Sequence, residues 1–215
     1  MLCDQLGIDP AKIRVVEGDT DQVTTGTGTF GSRSAALAGS AIKLAADKVI
    51  DKAKTIAAHI LEASADDIEF ADGAFRIAGT DRETHLDDIA ALAYNADRLP
   101  QGIEPGLDET AIFNPAAPNF PNGCHVVEAE IDPDTGKVTL IKYSIVDDVG
   151  MTLNPPLLKG QIHGGVAQGV GQILMERVAY DPDNGQLLSG SFMDYAMPRA
   201  DTVPPLSPAQ PTQTC

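Results

Sequence analysis

The spacing of hydrophobic residues predicts one long amphipathic helix in the first third of the chain. From about Ser34, apolar residues recur every three or four positions, with lysines and aspartates between them. The apolar set is Ile42, Ala45, Val49, Ala53, Ile56 and Ile60. This spacing places the apolar side chains on one helical face. Residues 1–7 resemble the end of a helix, a short amphipathic pattern predicts a helix over 86–96, and another helix is expected over 157–174.

Alternating apolar residues beside turn sequences predict the strands. We expect a short strand at Ile13–Val16 and a hairpin over 68–77 around Asp72-Gly73, a turn that favours tight hairpins. Two more hairpins are predicted over 125–146 and 176–192, around the sequences D-P-D-T-G and D-P-D-N-G. In these turns proline restricts φ and the closing glycine accepts a positive φ.

Prolines divide the remainder of the chain. Five prolines over 100–122 predict a loop, and four over 203–215 predict a disordered tail. We therefore expect a domain over 1–201 followed by a proline-rich disordered tail over 202–215. Helices mixed with hairpins, without βαβ alternation, predict an α+β fold with mixed or antiparallel sheets and packed helices.

Composition excludes several classes of function. The chain has 215 residues, with 15 Lys+Arg against 31 Asp+Glu and a formal net charge of −16. This charge disfavours binding to nucleic acid or to an anionic membrane. Its three cysteines form neither a disulfide framework nor a metal motif, and its apolar stretches are shorter than the ~20 residues of a membrane span. We expect a soluble, cytoplasmic protein.

A glycine-rich loop precedes the long helix. Glycines 26, 28 and 31 have the spacing G-x-G-x-x-G. In nicotinamide-dependent dehydrogenases this motif directly follows a strand, whereas the nearest predicted strand here ends at Val16, which disfavours that function. Ser32, Arg33 and Ser34 at the start of the helix suit a phosphate or another anion. The alternative is a flexible loop in which Ser32 or Ser34 caps the helix.

The helix predicted over 157–174 is rich in glycine and glutamine. Five glycines lie within 160–171, and each destabilises a helix interior by about 1 kcal/mol relative to alanine. Bare backbone at these positions lets a flat ligand or another backbone approach. Gln161, Gln168 and Gln172 add amides that donate and accept hydrogen bonds. The alternative is helix packing with exposed glutamines, as in a non-catalytic binding module whose helix packs on a partner protein.

The remaining polar residues do not form a recognisable catalytic set. Cys124-His125, Asp147-Asp148, His59, His85 and Glu176 have no partner at a spacing typical of a metal site or of a nucleophile. We therefore predict no catalytic residue and no metal ligand in the chain.

Six segments of the chain, in order, carry a family resemblance. They are T-G-T-F-G-S-R-S at 27–34, P-N-G-C-H at 121–125, D-D-V-G at 147–150, N-P at 154–155, G-Q-I-H-G-G-V-A-Q-G-V-G at 160–171 and S-F-M-D-Y-A-M-P at 191–198. Together they resemble the large, molybdopterin-binding subunit of molybdenum hydroxylases. This family includes aldehyde oxidases, xanthine dehydrogenases and aerobic carbon monoxide dehydrogenases.

The resemblance implies a cofactor, partners and a reaction. The cofactor is a molybdenum-molybdopterin dinucleotide, in the cytosine form. The implied partners are an iron–sulfur small subunit and a flavin (FAD) medium subunit, and the reaction is oxidation of an aldehyde, a purine-like molecule or a similar small substrate. By resemblance, the cofactor-contacting residues are Gly31, Ser32, Arg33, Ser34, Asn154, Gln161 and Gln168.

The chain also departs from the family pattern. A glycine-rich motif containing glutamine, and a Gly-x-Gly-Glu segment whose glutamate is the general base, are absent from these 215 residues. Neither Glu176 nor Asp194 matches the position of that base. We therefore expect a fragment that contributes part of a molybdopterin-binding domain and is inactive alone.

Overall fold

The computed structural model describes residues 1–23, 25–26, 28–118 and 120–209. The chain forms two compact units, residues 1–117 and 118–215, where the sequence predicted one domain over 1–201. Among the described residues, no helix has the length and hydrophobicity needed to cross a membrane.

In the part of the first unit that the structure describes, three α-helices combine with a three-stranded sheet. Its elements are α1 (Leu2–Leu6), α2 (Ser34–Leu61), β1 (Ile68–Ala71), β2 (Ala74–Ile77), β3 (Glu83–His85) and α3 (Leu86–Ala93). The strands are antiparallel in the order β1-β2-β3. The helices predicted from the sequence and the hairpin over 68–77 are confirmed, although α3 ends at Ala93 and a 3₁₀ helix, Ala96–Arg98, follows it.

The core of this unit lies between α2, α3 and the sheet. Ile56 of α2, Phe75 of β2 and Ile89 of α3 are fully buried in one cluster. Burying each such side chain contributes about 1.5–3 kcal/mol. Ile42 and Ile60 are 45% and 37% exposed, so only the middle of the predicted apolar face reaches the core.

The end of α1 lies against the β1–β2 turn. Asp72 and Gly73 have φ values of 48° and 79°, as a tight hairpin turn with two left-handed residues requires. Gly7, which caps α1 with a φ of 64°, lies so close that a Cβ there would be 2.1 Å from the carbonyl carbon of Asp72. Glycine at position 7 is therefore required both by its left-handed backbone conformation and by the close approach of the Asp72 backbone.

The strand predicted at Ile13–Val16 is wrong. A 3₁₀ helix, Pro10–Lys12, occupies the preceding residues, and the Asp9 carboxylate accepts a hydrogen bond of 2.8 Å from the Ala11 N–H. The Ile13 N–H donates to the carbonyl of Pro10 at 3.0 Å. No described strand pairs with Ile13–Val16, and a strand requires a ladder partner.

The second unit is a three-stranded sheet with one long helix. Its elements are β4 (Asn122–Ile131), β5 (Val138–Asp148), α4 (Pro155–Leu174) and β6 (Leu206–Ala209). The predicted hairpin and helix are confirmed, with longer strands and with α4 beginning at Pro155 rather than Leu157. β5 is central, antiparallel to β4 and parallel to β6. Ile145 of β5 packs against Val166 and Val170 of α4.

Two C-terminal segments differ from the sequence prediction. The hairpin predicted over 176–192 is reduced to a single bridge between Tyr180 and Leu187 beside its closed turn. Leu206–Ala209, placed in the disordered tail from the sequence, pairs with β5 as β6. The edge of β5 supplies backbone partners that a local pattern does not reveal. Residues 210–215, including Cys215, lie outside the described residues.

Candidate cofactor site

The predicted anion-binding loop leads directly into α2. Gly28 and Gly31 have left-handed φ values of 80° and 61°, and Ser32 shares this conformation with a φ of 50°. A Cβ at Gly28 or Gly31 would meet no described atom within 4 Å. The backbone of the loop is therefore open to a ligand. Thr27, the first residue of this segment, lies outside the described residues.

Arg33 is held in place but not fully hydrogen-bonded. Its guanidinium carbon lies 3.7 Å from the centroid of the Phe30 ring, a cation–π contact that orients the side chain. Its Nε is buried and has no hydrogen-bond partner among the described residues. A buried donor without an acceptor is destabilising, so an oxyanion at this position would satisfy it. Beside it, the hydroxyl groups of Thr29 and Ser34 are hydrogen-bonded at 2.8 Å.

The N-terminus of α2 is also available. Arg33 is the N-cap residue and makes no side-chain capping hydrogen bond, and the first turn has no acidic residue. The N–H groups of the first helical turn and the positive end of the helix dipole favour an anion.

Asn154 has a structural role at the start of α4. Its Oδ1 accepts a hydrogen bond of 3.1 Å from the Leu157 N–H, and Pro155 follows at the first helical position. Asparagine at the N-cap and proline directly after it are both favoured at helix starts. The side chain predicted to contact the cofactor thus caps the helix.

Gln161 and Gln168 lie on the same exposed side of α4. They are seven residues apart, about two helical turns, and Gln172 extends the same side by one turn. The opposite side buries Val166 and Val170. We call the exposed surface the glutamine face; it consists of Gln161, Gly164, Gly165, Gln168 and Gln172.

The glycines of α4 differ in their surroundings. A Cβ at Gly160, Gly164, Gly165 or Gly169 would meet no described atom within 4 Å. At Gly171 it would lie 2.2 Å from Glu176 Oε1 and 2.7 Å from Pro198 Cγ. Helix packing within the described chain therefore explains only Gly171. The other four glycines leave bare backbone that is open to a ligand or to another chain.

His125 forms a network that the sequence did not indicate. Its Nδ1 lies 3.2 Å from Tyr143 Oη, and its Nε2 lies 3.2 Å from Asp147 Oδ1. The hairpin turn at 132–136 signals that β4 and β5 pair, but a β-bulge at Glu128/Ala129 shifts the register. This shift places His125 on the same side as Tyr143 and Asp147. Within the described part of the chain, no group of three or more His, Cys, Asp or Glu residues is placed to hold a metal ion.

The predicted contact residues fall into two sets. Gly31, Ser32, Arg33 and Ser34 are contiguous in the first unit. The second set lies in the second unit, where Asn154 caps α4 and Gln161 and Gln168 lie within it. A family model described as the molybdopterin cofactor-binding domain matches residues 1–204, which include both sets. The chain belongs to this family.

Similar proteins support the assignment to the molybdopterin cofactor-binding domain family. The chain is 38% identical over 204 residues to the 6-hydroxypseudooxynicotine dehydrogenase complex subunit gamma of Paenarthrobacter nicotinovorans, covering 95% of this chain and 26% of the relative. It is 37% identical over 205 residues to the carbon monoxide dehydrogenase large chain of Hydrogenophaga pseudoflava, covering 95% and 25%.

A solved structure supports the same family and the same fold. Reconstituted CO dehydrogenase from Oligotropha carboxidovorans superposes with a TM-score of 0.88 at 34% identity, over 98% of this chain and 26% of that chain. The predicted family resemblance and the α+β fold are therefore confirmed. The chain spans about a quarter of the length of the relatives it matches.

Proposed function

We propose that the chain contributes part of a molybdopterin dinucleotide site, for the cytosine form of the cofactor, in the large subunit of a molybdenum hydroxylase. The observation that carries the proposal is the open backbone on α4, where four glycines face no described atom within 4 Å. These glycines weaken the helix by about 1 kcal/mol each, and packing within the described chain does not compensate for them.

In this proposal the loop before α2 binds the anionic part of the cofactor. The residues are Gly31, Ser32, Arg33 and Ser34. Arg33 Nε, which has no hydrogen-bond partner among the described residues, and the N–H groups of the first turn of α2 supply donors. A pyrophosphate supplies several acceptor oxygens. Phe30 restricts the guanidinium before the ligand arrives, which lowers the entropy lost on binding.

The glutamine face suits the pterin. The amides of Gln161 and Gln168 both donate and accept, as the edge of a pterin requires. The neighbouring glycines allow a flat ring to lie close to the helix backbone. The side chain of Asn154 acts indirectly here, because it caps the helix that presents the glutamines. When bound, the cofactor supplies the two-electron redox chemistry of substrate oxidation.

The proposal extends to the parent protein. We infer that it oxidises an aldehyde, a purine-like molecule or a similar small substrate, and passes electrons to an iron–sulfur small subunit and a flavin (FAD) medium subunit. The name of the P. nicotinovorans relative, a complex subunit gamma, supports the existence of partner subunits. We expect no turnover by these residues alone, since they span about a quarter of the relatives.

Cofactor content tests this proposal. The chain is expressed in a host that makes the molybdenum cofactor, and the purified protein is assayed for molybdenum and for the fluorescent pterin released by acid oxidation. We expect both in the wild type and a clear loss in Gly165→Leu, which fills the glutamine face. Lys159→Leu, at an exposed position on the other side of α4, should retain both. A wild type without pterin, or a Gly165→Leu variant that retains it, would contradict the proposal.

The competing function is a non-catalytic module whose glycine-rich helix packs on a partner protein. The open glycines of α4 are compatible with this function as well. Alanine at Gly164 and Gly165 separates the two functions. A packing role predicts lost association with the partner protein at unchanged pterin content, whereas a cofactor site predicts reduced pterin content.

A further inference from the structure

A hydrogen-bonded pair lies at the C-terminal end of α4 and has no part in the proposed cofactor contacts. Tyr195 Oη donates to Glu176 Oε2 at 2.5 Å, and both residues are half-buried. The N–H of Glu176 donates to the carbonyl of Gly171 at 2.7 Å, and this carbonyl also accepts from the Met175 N–H at 3.0 Å. The pair is therefore tied to the last turn of the helix.

Gly171 makes room for this pair. A Cβ at position 171 would lie 2.2 Å from Glu176 Oε1 and 2.7 Å from Pro198 Cγ, closer than real Cβ contacts. Gly171 is thus the α4 glycine whose missing side chain is explained by the chain's own packing. The carboxylate of Glu176 and the ring of Pro198 occupy that space together.

The segment that carries Tyr195 is itself closed into a turn. Ser191 Oγ donates to Asp194 Oδ2 at 2.9 Å. The carbonyl of Ser191 accepts from the N–H groups of Asp194 and Tyr195, at 3.0 and 2.8 Å. Tyr195 and Pro198 then contact the end of α4. Residues 191–198 are therefore attached to the helix by a polar and an apolar contact.

The charge of Glu176 is unusual for a helix end. The C-terminus of a helix carries a partial negative charge, so a carboxylate there is unfavourable and a basic residue is favourable. The last turn of α4 has no basic residue, and the Tyr195 hydroxyl donates a hydrogen bond that stabilises this carboxylate. The core beneath the helix is small, with only Ile145, Val166 and Val170 buried among the described residues, so contacts at its end matter more.

We propose that Glu176 and Tyr195 are positioning residues, whose hydrogen bond latches residues 191–198 onto the end of α4. Gln168 lies three residues before Gly171 and Gln172 directly follows it. Holding the helix end therefore fixes the direction in which these two amides point on the glutamine face. The part of this inference that concerns the cofactor rests on the proposed function.

Tyrosine ionisation tests the latch without any cofactor. The hydrogen bond from its hydroxyl to the carboxylate of Glu176 raises the pKa of Tyr195 above its ordinary value. In an alkaline titration of tyrosinate absorbance on the full chain, one of four tyrosines should ionise last. Tyr195→Phe and Glu176→Ala should each remove this late step, and Tyr180→Phe should leave it unchanged. A wild type without the step, or a step that survives Tyr195→Phe, would overturn the latch.

Cofactor affinity tests the positioning role. A hydrogen bond to a charged group is typically worth enough to change an equilibrium about tenfold or more. We expect Tyr195→Phe and Glu176→Ala to lower retention of the molybdenum cofactor about tenfold. Glu176→Gln, which keeps an acceptor, should recover part of the loss. Tyr180→Phe is the control, and circular dichroism verifies that each variant is folded.

The two possible failures can be told apart. If the wild type retains cofactor and folded Tyr195→Phe retains it equally well, the positioning role is wrong and the proposed function stands. If the wild type retains none, the proposed function fails, and with it the cofactor part of this inference. The tyrosine titration then still decides whether the latch exists.

Discussion

Asp147 lies directly opposite Gly123 across the β4–β5 ladder, and its Oδ1 lies 1.9 Å from the position that a Cβ of residue 123 would occupy. The same oxygen lies 3.2 Å from His125 Nε2. A side chain at position 123 would displace the carboxylate from the imidazole. The segments 121–125 and 147–150, which both resemble molybdenum hydroxylases, are thus joined by a polar network that requires glycine.

Gly123→Ala should destabilise the second unit by about 1–3 kcal/mol, the usual effect of overpacking. Chemical denaturation followed by circular dichroism measures the change. In an Asp147→Ala background the contact with the carboxylate is gone and the tight contact with the Val146 carbonyl oxygen at 3.0 Å remains, so the same substitution should be markedly less destabilising. Equal effects of Gly123→Ala in both backgrounds would refute the contact.

Two glycines of α4 should respond to alanine with opposite signs. Gly165→Ala should stabilise the fold by about 0.5–1 kcal/mol, because the position is helical and open. Gly171→Ala should destabilise it, because the new Cβ meets Glu176 and Pro198. Thermal and urea unfolding of the two variants provide the comparison. Stabilisation by Gly171→Ala would contradict the contact described here.

Arg33 should affect ligand binding more than folding. Arg33→Ala should lower the pterin retained per chain about tenfold or more, because charge-assisted hydrogen bonds are lost. Arg33→Lys should recover only part of the retention, since an ammonium group lacks the planar set of donors. Arg14→Ala, an exposed arginine outside the loop, is the control. Identical retention in Arg33→Ala and Arg14→Ala would exclude Arg33 from the site.

Acid stability should depend in part on Glu83. Hydrogen bonds from the Arg76 guanidinium hold the pKa of Glu83 below its ordinary value of 4.5. A lowered pKa contributes stability that is present above pH 4.5 and is lost as the pH falls through the folded-state pKa. Glu83→Gln should therefore make the unfolding midpoint less dependent on pH below about 4.5. Glu130→Gln is the control, and an unchanged pH profile for Glu83→Gln would contradict the linkage.

The elements predicted correctly are those whose signals are local. The periodic residues of α2 and the Asp72-Gly73 turn specify structure within a few neighbours, because helix periodicity and turn conformation depend on nearby residues. The loop over 26–34 and the glutamines of α4 were proposed as contact residues from short motifs, and their role stays a prediction. The strand at Ile13–Val16 failed for the complementary reason, since an apolar run forms a strand only where another strand pairs with it.

The remaining features depend on contacts between distant residues. β6 exists because the edge of β5 accepts it, and His125 meets Asp147 because a bulge shifts the ladder by one residue. Gly171 differs from the other glycines of α4 only through Glu176 and Pro198. None of these relations has a signature within a short stretch of chain.

The order of amino acids was thus sufficient for the family and the α+β class, and the two candidate contact sets that its short motifs indicate stay a prediction. Only the tertiary structure decided which of those residues have open space around them, which pack against neighbours and which have a structural role. Asn154 caps α4, and Arg33 Nε has no hydrogen-bond partner among the described residues. The space beside Gly171 is occupied by Glu176 and Pro198. The physical reason is that the chemistry of a short motif depends on adjacent residues. The space around a residue and its hydrogen-bond partners depend on residues far apart in the chain.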